Sequence, residues 1–169
     1  FIFFSKTISD TGAVNEAVLN DVALGEVWVC SGQSNMEMRV RDARNGTAEV
    51  AKALTYQSIR LMKIVRKASD HPLDEPERYS TLWTKPEEDF LLNGDSFSAV
   101  CMFFGEQLHD DYLQNPPTYS SPPIGLIDVS WGGTIIEAWS PPETLEACGV
   151  TDNGLDDGSN HNEYLWNAM

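Results

Sequence analysis

Residues 26–38 read EVWVCSGQSNMEM, and this stretch decides the fold. Glu26–Cys30 is a dense β-rich run and predicts a buried strand. Ser31-Gly32-Gln33 breaks it. A short helix is expected from Ser34, capped by Ser34 or Asn35, with Glu37 three residues after Ser34 in capping-box spacing. A strand–tight turn–helix junction holds a hydroxyl rigid and exposed. At the helix start Ser34 gains free amide N–H groups and the positive end of the dipole. Those amides suit a developing oxyanion. A hydroxyl so placed becomes a nucleophile when a base stands beside it. On these residues alone, Ser34 also reads as a simple helix cap, and capping serines are far commoner than catalytic ones. The stretch is not a G-x-S-x-G elbow, because residue 36 is Met.

A second segment of the same kind follows about a hundred residues later: DVSWGGTIIEAW, residues 128–139. Residues 124–129, IGLIDV, predict an apolar strand. Gly132-Gly133 then allows the backbone to approach another group closely. That pair reads either as an oxyanion donor or as an ordinary β–α turn. Neither segment has the spacing of a phosphate-binding loop.

Between them, Thr47–Gln57 predicts a helix with Val50, Leu54 and Ala51 on its apolar stripe. Residues 59–65, IRLMKIV, predict a strand with one face less buried. Residues 66–97 are polar and rich in Pro and acid, and read as one long loop pinned by Trp83 and Phe90. Residues 98–113 predict the strongest helix, capped by Ser96 or Ser98, with Ala99, Val100, Phe103, Phe104, Leu108 and Tyr112 on its buried face. A Pro-rich loop is expected at 115–123 and a second loop at 149–160. Pro141-Pro142 divides two helical turns, and LWNAM at 165–169 begins another. Residues 1–19 form a weakly patterned leading segment and 20–169 one domain. The alternation of strands and helices implies α/β layering around a parallel sheet. Both segments follow predicted strands, where α/β sheets place their sites.

Composition excludes several classes. The chain of 169 residues carries 11 Lys+Arg against 26 Asp+Glu, a formal net charge of −15. All the basic residues lie between Lys6 and Lys85, and the sequence after Lys85 is acidic throughout. This balance argues against nucleic-acid binding and against attachment to anionic lipid. No apolar run approaches the ~20 residues of a membrane span. No His/Cys cluster has metal-ligand spacing, so no metal site is expected.

GEVWVCSGQSNMEM and PIGLIDVSWGGTIIEAW together resemble the sialate O-acetylesterases, which lie within the SGNH (GDSL) group of serine esterases. SIRLMKI, SFSAVCMFFGEQL and LWNAM resemble them too, so the likeness runs over residues 20–169. It implies a three-layer α/β/α SGNH-hydrolase-like domain with a parallel sheet, of which this chain holds the N-terminal part. It implies Ser34 as nucleophile, with the Ser34 N–H and one of Gly132 and Gly133, preferably Gly133, in the oxyanion hole. Gln33, Asn35, Trp131, Thr134, Glu137 and Trp139 are implied as supports of the site. The implied reaction needs no metal or organic cofactor. The implied substrate is O-acetylated sialic acid or a related acetylated sugar, and plant and bacterial carbohydrate acetylesterases share GQSN. A carbohydrate-binding protein without catalysis is a third reading.

The family also carries an Asn block and a late D-x-x-H block holding the base. Neither is found here. The three histidines, His71, His109 and His161, are preceded at the third position by Ala68, Glu106 and Gly158. Each reads as structural. The ends read as cuts, and the remaining C-terminal part of the same protein is expected as this chain's partner. Alone, the chain is expected to lack turnover. Of three cysteines, Cys30 and Cys101 read as buried small hydrophobes. Cys148 is expected to pair with a cysteine beyond Met169. Asn45-Gly46-Thr47 is a glycosylation sequon. The family implies a lysosomal or secreted protein.

Overall fold

The computed structural model describes residues 3–8, 14–74, 79–93, 96–115, 122–150 and 159–168. The weakly patterned leading segment forms two strands, β1 (Phe3–Ile8) and β2 (Val14–Leu19), paired antiparallel as a sheet of their own. The main sheet is built from β3 (Glu26–Cys30), β4 (Ile59–Ile64), β5 (Tyr79–Thr84) and β6 (Ile124–Asp128), in the order β3-β6-β4-β5. The first three in that order run parallel. β5 closes the edge antiparallel to β4 through an irregular register. The expected α/β class and parallel sheet are formed, with one antiparallel edge strand added.

The helices are α1 (Ser34–Glu37), α2 (Gly46–Ala53), α3 (Glu88–Leu92), α4 (Ala99–Gln114), α5 (Pro142–Ala147) and α6 (Tyr164–Asn167). Single 3-10 turns stand at Val40–Asp42 and Ile136–Trp139. Val50 and Ala53 from α2, Leu91 from α3 and Met102 from α4 share one core with Ile59, Leu61, Ile124 and Leu126 of the sheet.

Several expectations are corrected. Residues 66–97 are not one loop, since they contain β5 and α3. Phe90 does pack on the core, edge to face with Phe97. Trp83 stays half exposed, with its ring over Gly125. β3 is not a buried strand: Val27 and Val29 are 59% and 62% exposed, because β3 is an edge strand. At α2 the stripe is Val50, Ala53 and, partly buried at its C-cap, Leu54 as expected, while Ala51 is exposed. The fully buried face of α4 is Ala99, Cys101, Met102, Gly105 and Glu106; Phe103, Leu108 and Tyr112 pack on the core as expected but only partly buried, and Val100 and Phe104 are exposed. Small residues face inward because the helix lies close on the sheet: a Cβ at Gly105 would meet Leu126 Cδ1 at 2.6 Å. Phe104 instead meets Trp28 edge to face at the sheet margin. Ser98 caps α4 by accepting from Cys101 N–H at 3.2 Å. Leu165 of α6 is buried. The loops expected at 115–123 and 149–160 lie mostly outside the described residues.

Cys30 and Cys101 are not free thiols. They form a disulfide between the end of β3 and the first turn of α4, with Cα atoms 5.8 Å apart. It closes a loop with a sequence separation of 71 residues, for which stabilisation of roughly 2–4 kcal/mol is typical. Cys148 is free and exposed.

Glu106 also lies inside, where burial pushes its carboxyl above the usual range although Lys52 Nζ donates to Oε2 at 2.7 Å. Glu106 Oε1 has no hydrogen-bond partner among the described residues. Among the described residues no helix is long and apolar enough to cross a membrane.

Candidate active site

Three chain segments leave the C-terminal ends of the parallel strands and meet. After β3 the backbone turns through Gly32, whose φ of +128° favours glycine. A Cβ there would also press on Met36 Cγ at 2.9 Å. The turn is stitched to the segment after β6: Val129 N–H donates to Cys30 O at 3.0 Å, and Trp131 N–H to Gly32 O at 2.8 Å. These bonds extend the β3–β6 pairing past the strands and bring the two predicted segments side by side. Ser34 Oγ lies 3.5 Å from where a Cβ on Gly132 would stand.

The cap of α1 differs from expectation. Gln33, not Ser34 or Asn35, is the N-cap, and its side-chain oxygen accepts from Ser34 N–H at 3.0 Å. The same oxygen accepts from Ser34 Oγ at 2.8 Å. Gln33, Ser34 and Asn35 are all exposed, so the hydroxyl is open to solvent. For Ser34 N–H to serve an oxyanion, the Gln33 side chain must swing aside. Gln33 is exposed, and rotamer changes of exposed side chains are fast.

Glu37 does not close a capping box. Its carboxylate crosses to the segment after β6, where Oε2 accepts from Gly132 N–H at 2.5 Å. Oε1 forms an ion pair with Arg66, which follows β4. Arg66 Nε also donates to Ser130 O at 3.4 Å. Gly132 N–H is therefore engaged. Gly133 has φ +79°, and nothing lies within 4 Å of a Cβ built on it.

The remaining supports hold the glycine turn from behind. Thr134 Oγ1 donates to Trp131 O at 2.7 Å and accepts from Trp139 Nε1 at 2.8 Å. Asn160 accepts from Ile135 N–H at 2.9 Å and donates to Gly133 O at 3.2 Å. Sequence reading did not single out Asn160, which sits far along a polar stretch with no local signal. Glu137 is half-buried in its 3-10 turn, with its carbonyl accepting from Glu163 N–H at 3.0 Å.

Beneath the site lies a buried ion pair that sequence reading also missed. Lys63 on β4 and Asp128 on β6 are 1% and 0% exposed, with Nζ 3.0 Å from Oδ2. Lys63 Nζ donates to Ser96 O at 2.9 Å. Asp128 accepts from Ser98 N–H at 3.1 Å, Ser130 N–H at 2.9 Å and Ser130 Oγ at 2.6 Å. The signal was available: Ile59, Leu61 and Lys63 alternate onto one face, as do Ile124, Leu126 and Asp128.

No family model matches the chain. Sialate O-acetylesterases from Homo sapiens and Pongo abelii are each 41% identical to it over 158 residues. That match covers 89% of this chain and 29% of theirs. The Mus musculus sialate O-acetylesterase is 42% identical over 134 residues, 78% of this chain and 23% of the relative. The chain is a homologue of the sialate O-acetylesterases. A carbohydrate acetylesterase from Xanthomonas citri, known from its crystal structure, superposes with a TM-score of 0.70 at 28% identity. It covers 95% of this chain and 31% of its own. This homologue thus spans less than a third of the length of its sialate O-acetylesterase and carbohydrate acetylesterase relatives.

None of the histidines is the partner of the Ser34 hydroxyl, which donates to Gln33. His71 Nδ1 sits 2.6 Å from Asp70 Oδ1, an exposed pair whose hydrogen bond holds the Asp70 carboxyl below its usual range. His109 meets the Tyr56 ring edge to face, with Asp110 3.5 Å from its Nδ1. His161 stacks on Tyr164 at 4.2 Å. Among the described residues, no group of three or more His, Cys, Asp or Glu side chains could hold a metal ion.

Proposed function

We propose that the full-length protein is a serine esterase that hydrolyses O-acetyl esters of sialic acids, with Ser34 as nucleophile. The carrying observation is the convergence of the exposed Ser34 hydroxyl and the Gly132-Gly133 turn at the strand ends of a sialate O-acetylesterase homologue. Ser34 Oγ attacks the acetyl carbonyl, and backbone amides receive the oxyanion. A base takes the hydroxyl proton and returns it to the departing sugar oxygen. Water then releases acetate from the acetyl-enzyme by the same route in reverse. We assign the base to a residue in the longer stretch that the relatives possess, because the Ser34 hydroxyl bonds to no histidine of this chain.

A second reading keeps the chemistry and changes the sugar. The fold match to a carbohydrate acetylesterase of Xanthomonas citri favours other O-acetylated carbohydrates, such as xylan. Acetate release by the full-length protein from 9-O-acetylated sialic acid and from acetylated xylan separates the two. The first reading expects kcat/KM at least about tenfold higher on the sialic acid, a difference of ~1.4 kcal/mol in transition-state binding. The reverse preference assigns the sugar to the second reading. No acetate from either leaves the non-catalytic, carbohydrate-binding reading.

We further infer an oxidising compartment, lysosomal or secreted. The Cys30–Cys101 disulfide supports it, as does the exposure of Asn45 in its sequon. Protein isolated from its own cells under alkylating conditions should retain that bond. Reduction should then lower its stability by roughly 2–4 kcal/mol in urea titration. Recovery with both cysteines alkylated would sink this inference.

A further inference from the structure

Glu37 ties together the segments that follow all three parallel strands. It stands on α1, after β3; Gly132 follows β6; Arg66 follows β4. The bond to Gly132 is a backbone amide delivered directly to a carboxylate oxygen, a charge-assisted contact. A Cβ at position 132 would overlap Glu37 Oε2, so a side chain there and this contact exclude each other. An amide bonded to a carboxylate cannot also serve an oxyanion. A bare carboxylate beside a developing negative charge would oppose it, and the Arg66 guanidinium on Oε1 offsets that charge.

We propose that Glu37, anchored by Arg66, is a positioning residue that sets the glycine turn, so that Gly133 and not Gly132 presents its amide to the reacting oxygen. This rests on the reading of Ser34 as nucleophile. Glu37 holds the turn through Gly132 N–H, and Asn160 and Thr134 hold it from the other side. Gly133 keeps the left-handed backbone and the open surroundings that a substrate oxygen needs.

The test uses the full-length protein and acetate release, with Glu37→Ala, Glu37→Gln, Gly132→Ala, Ser34→Ala and the double variant E37A/G132A. E37A should lower kcat about 10²-fold, the cost of misplacing one oxyanion donor, with KM within about threefold of the parent. E37Q keeps an oxygen that accepts Gly132 N–H and should restore kcat to within about tenfold of the parent. G132A should resemble E37A, and the double variant should be no worse than the poorer single, since both act through one contact. The proposal is overturned if E37A keeps kcat within about threefold of the parent, if its loss appears in KM alone, or if E37Q is as poor as E37A. Should E37A fail to fold, E37Q and G132A decide: E37Q must retain kcat and G132A must lose it. Turnover surviving in S34A overturns the nucleophile reading and this proposal with it. An inactive S34A beside a fully active E37A overturns this proposal alone.

Discussion

Ser34→Ala in the full-length protein is expected to reduce acetate release from O-acetylated sialic acid by roughly four orders of magnitude or more, the scale on which serine hydrolases lose rate without their nucleophile. The fold should survive. Ser34 is exposed, and its side chain makes a single hydrogen bond, to Gln33 Oε1, among the described residues. The cap of α1 is the Gln33 side chain, which the substitution leaves in place along with the Ser34 N–H bond it accepts. The loss in stability should therefore be below about 1 kcal/mol, the net worth of an ordinary hydrogen bond. Acetate release and a urea titration on the same preparation check both halves. Activity within about tenfold of the parent excludes Ser34 as nucleophile, because backbone amides and binding alone retain far less. A collapse of the fold would show that Ser34 acts structurally, as the bland reading of its sequence position holds.

The site was legible where its geometry is local. A β-rich run, a glycine and a polar helix start at 26–37 specify a strand, a turn and a helix from neighbouring residues alone. The same is true of the strand and paired glycines at 124–133. What escaped was set by partners far away in sequence. Glu37 has the spacing of a capping box, and only the approach of Gly132 and Arg66 reveals where its carboxylate goes. Cys30 and Cys101 look like ordinary buried residues until β3 and α4 are placed side by side. The strand YSTLWT lies within a polar, Pro-rich stretch whose composition masked it, and at this sheet edge Leu82 and Trp83 stay exposed. In α4 the aromatic residues drew attention as the core face. Close packing on the sheet centred the buried face on the side bearing Gly105, so Phe103 and Tyr112 pack at its flank and Phe104 is displaced to the margin. Long-range as well was the meaning of alternation in β4 and β6. Periodicity put a lysine and an aspartate on the inner face, and only the pairing of the two strands brings the charges together.

That inner pair carries the second large effect. Asp128→Ala should destabilise the protein by about 3–5 kcal/mol, the cost of breaking a buried ion pair from one side, against a total of roughly 5–15 kcal/mol for ordinary domains. The loss is large because the Lys63 ammonium is sealed between the sheet and α4, where Ser96 O is a neutral acceptor beside it. Three further donors lose their acceptor at once: Ser98 N–H, Ser130 N–H and Ser130 Oγ. Asp128→Asn keeps an oxygen for some of these donors, and Lys63→Met removes the stranded charge. The double variant K63M/D128N should thus be more stable than D128A, although it carries one more substitution, since replacing both members of a buried pair costs less than orphaning one. Urea titrations of the parent, D128A and K63M/D128N measure this. A loss below about 1 kcal/mol in D128A would mean that water reaches Lys63 and that the pair is not sealed. The consequence reaches the chemistry, because Ser130 directly precedes Trp131 and Gly132. Asp128 fixes the chain where it leaves β6, while Glu37 and Asn160 fix the turn beyond it. In D128A the protein that remains folded should therefore lose turnover even at low temperature, where stability is not limiting. The defect should appear in kcat rather than KM, as expected when a site loosens around the reacting atoms instead of losing contacts to the sugar.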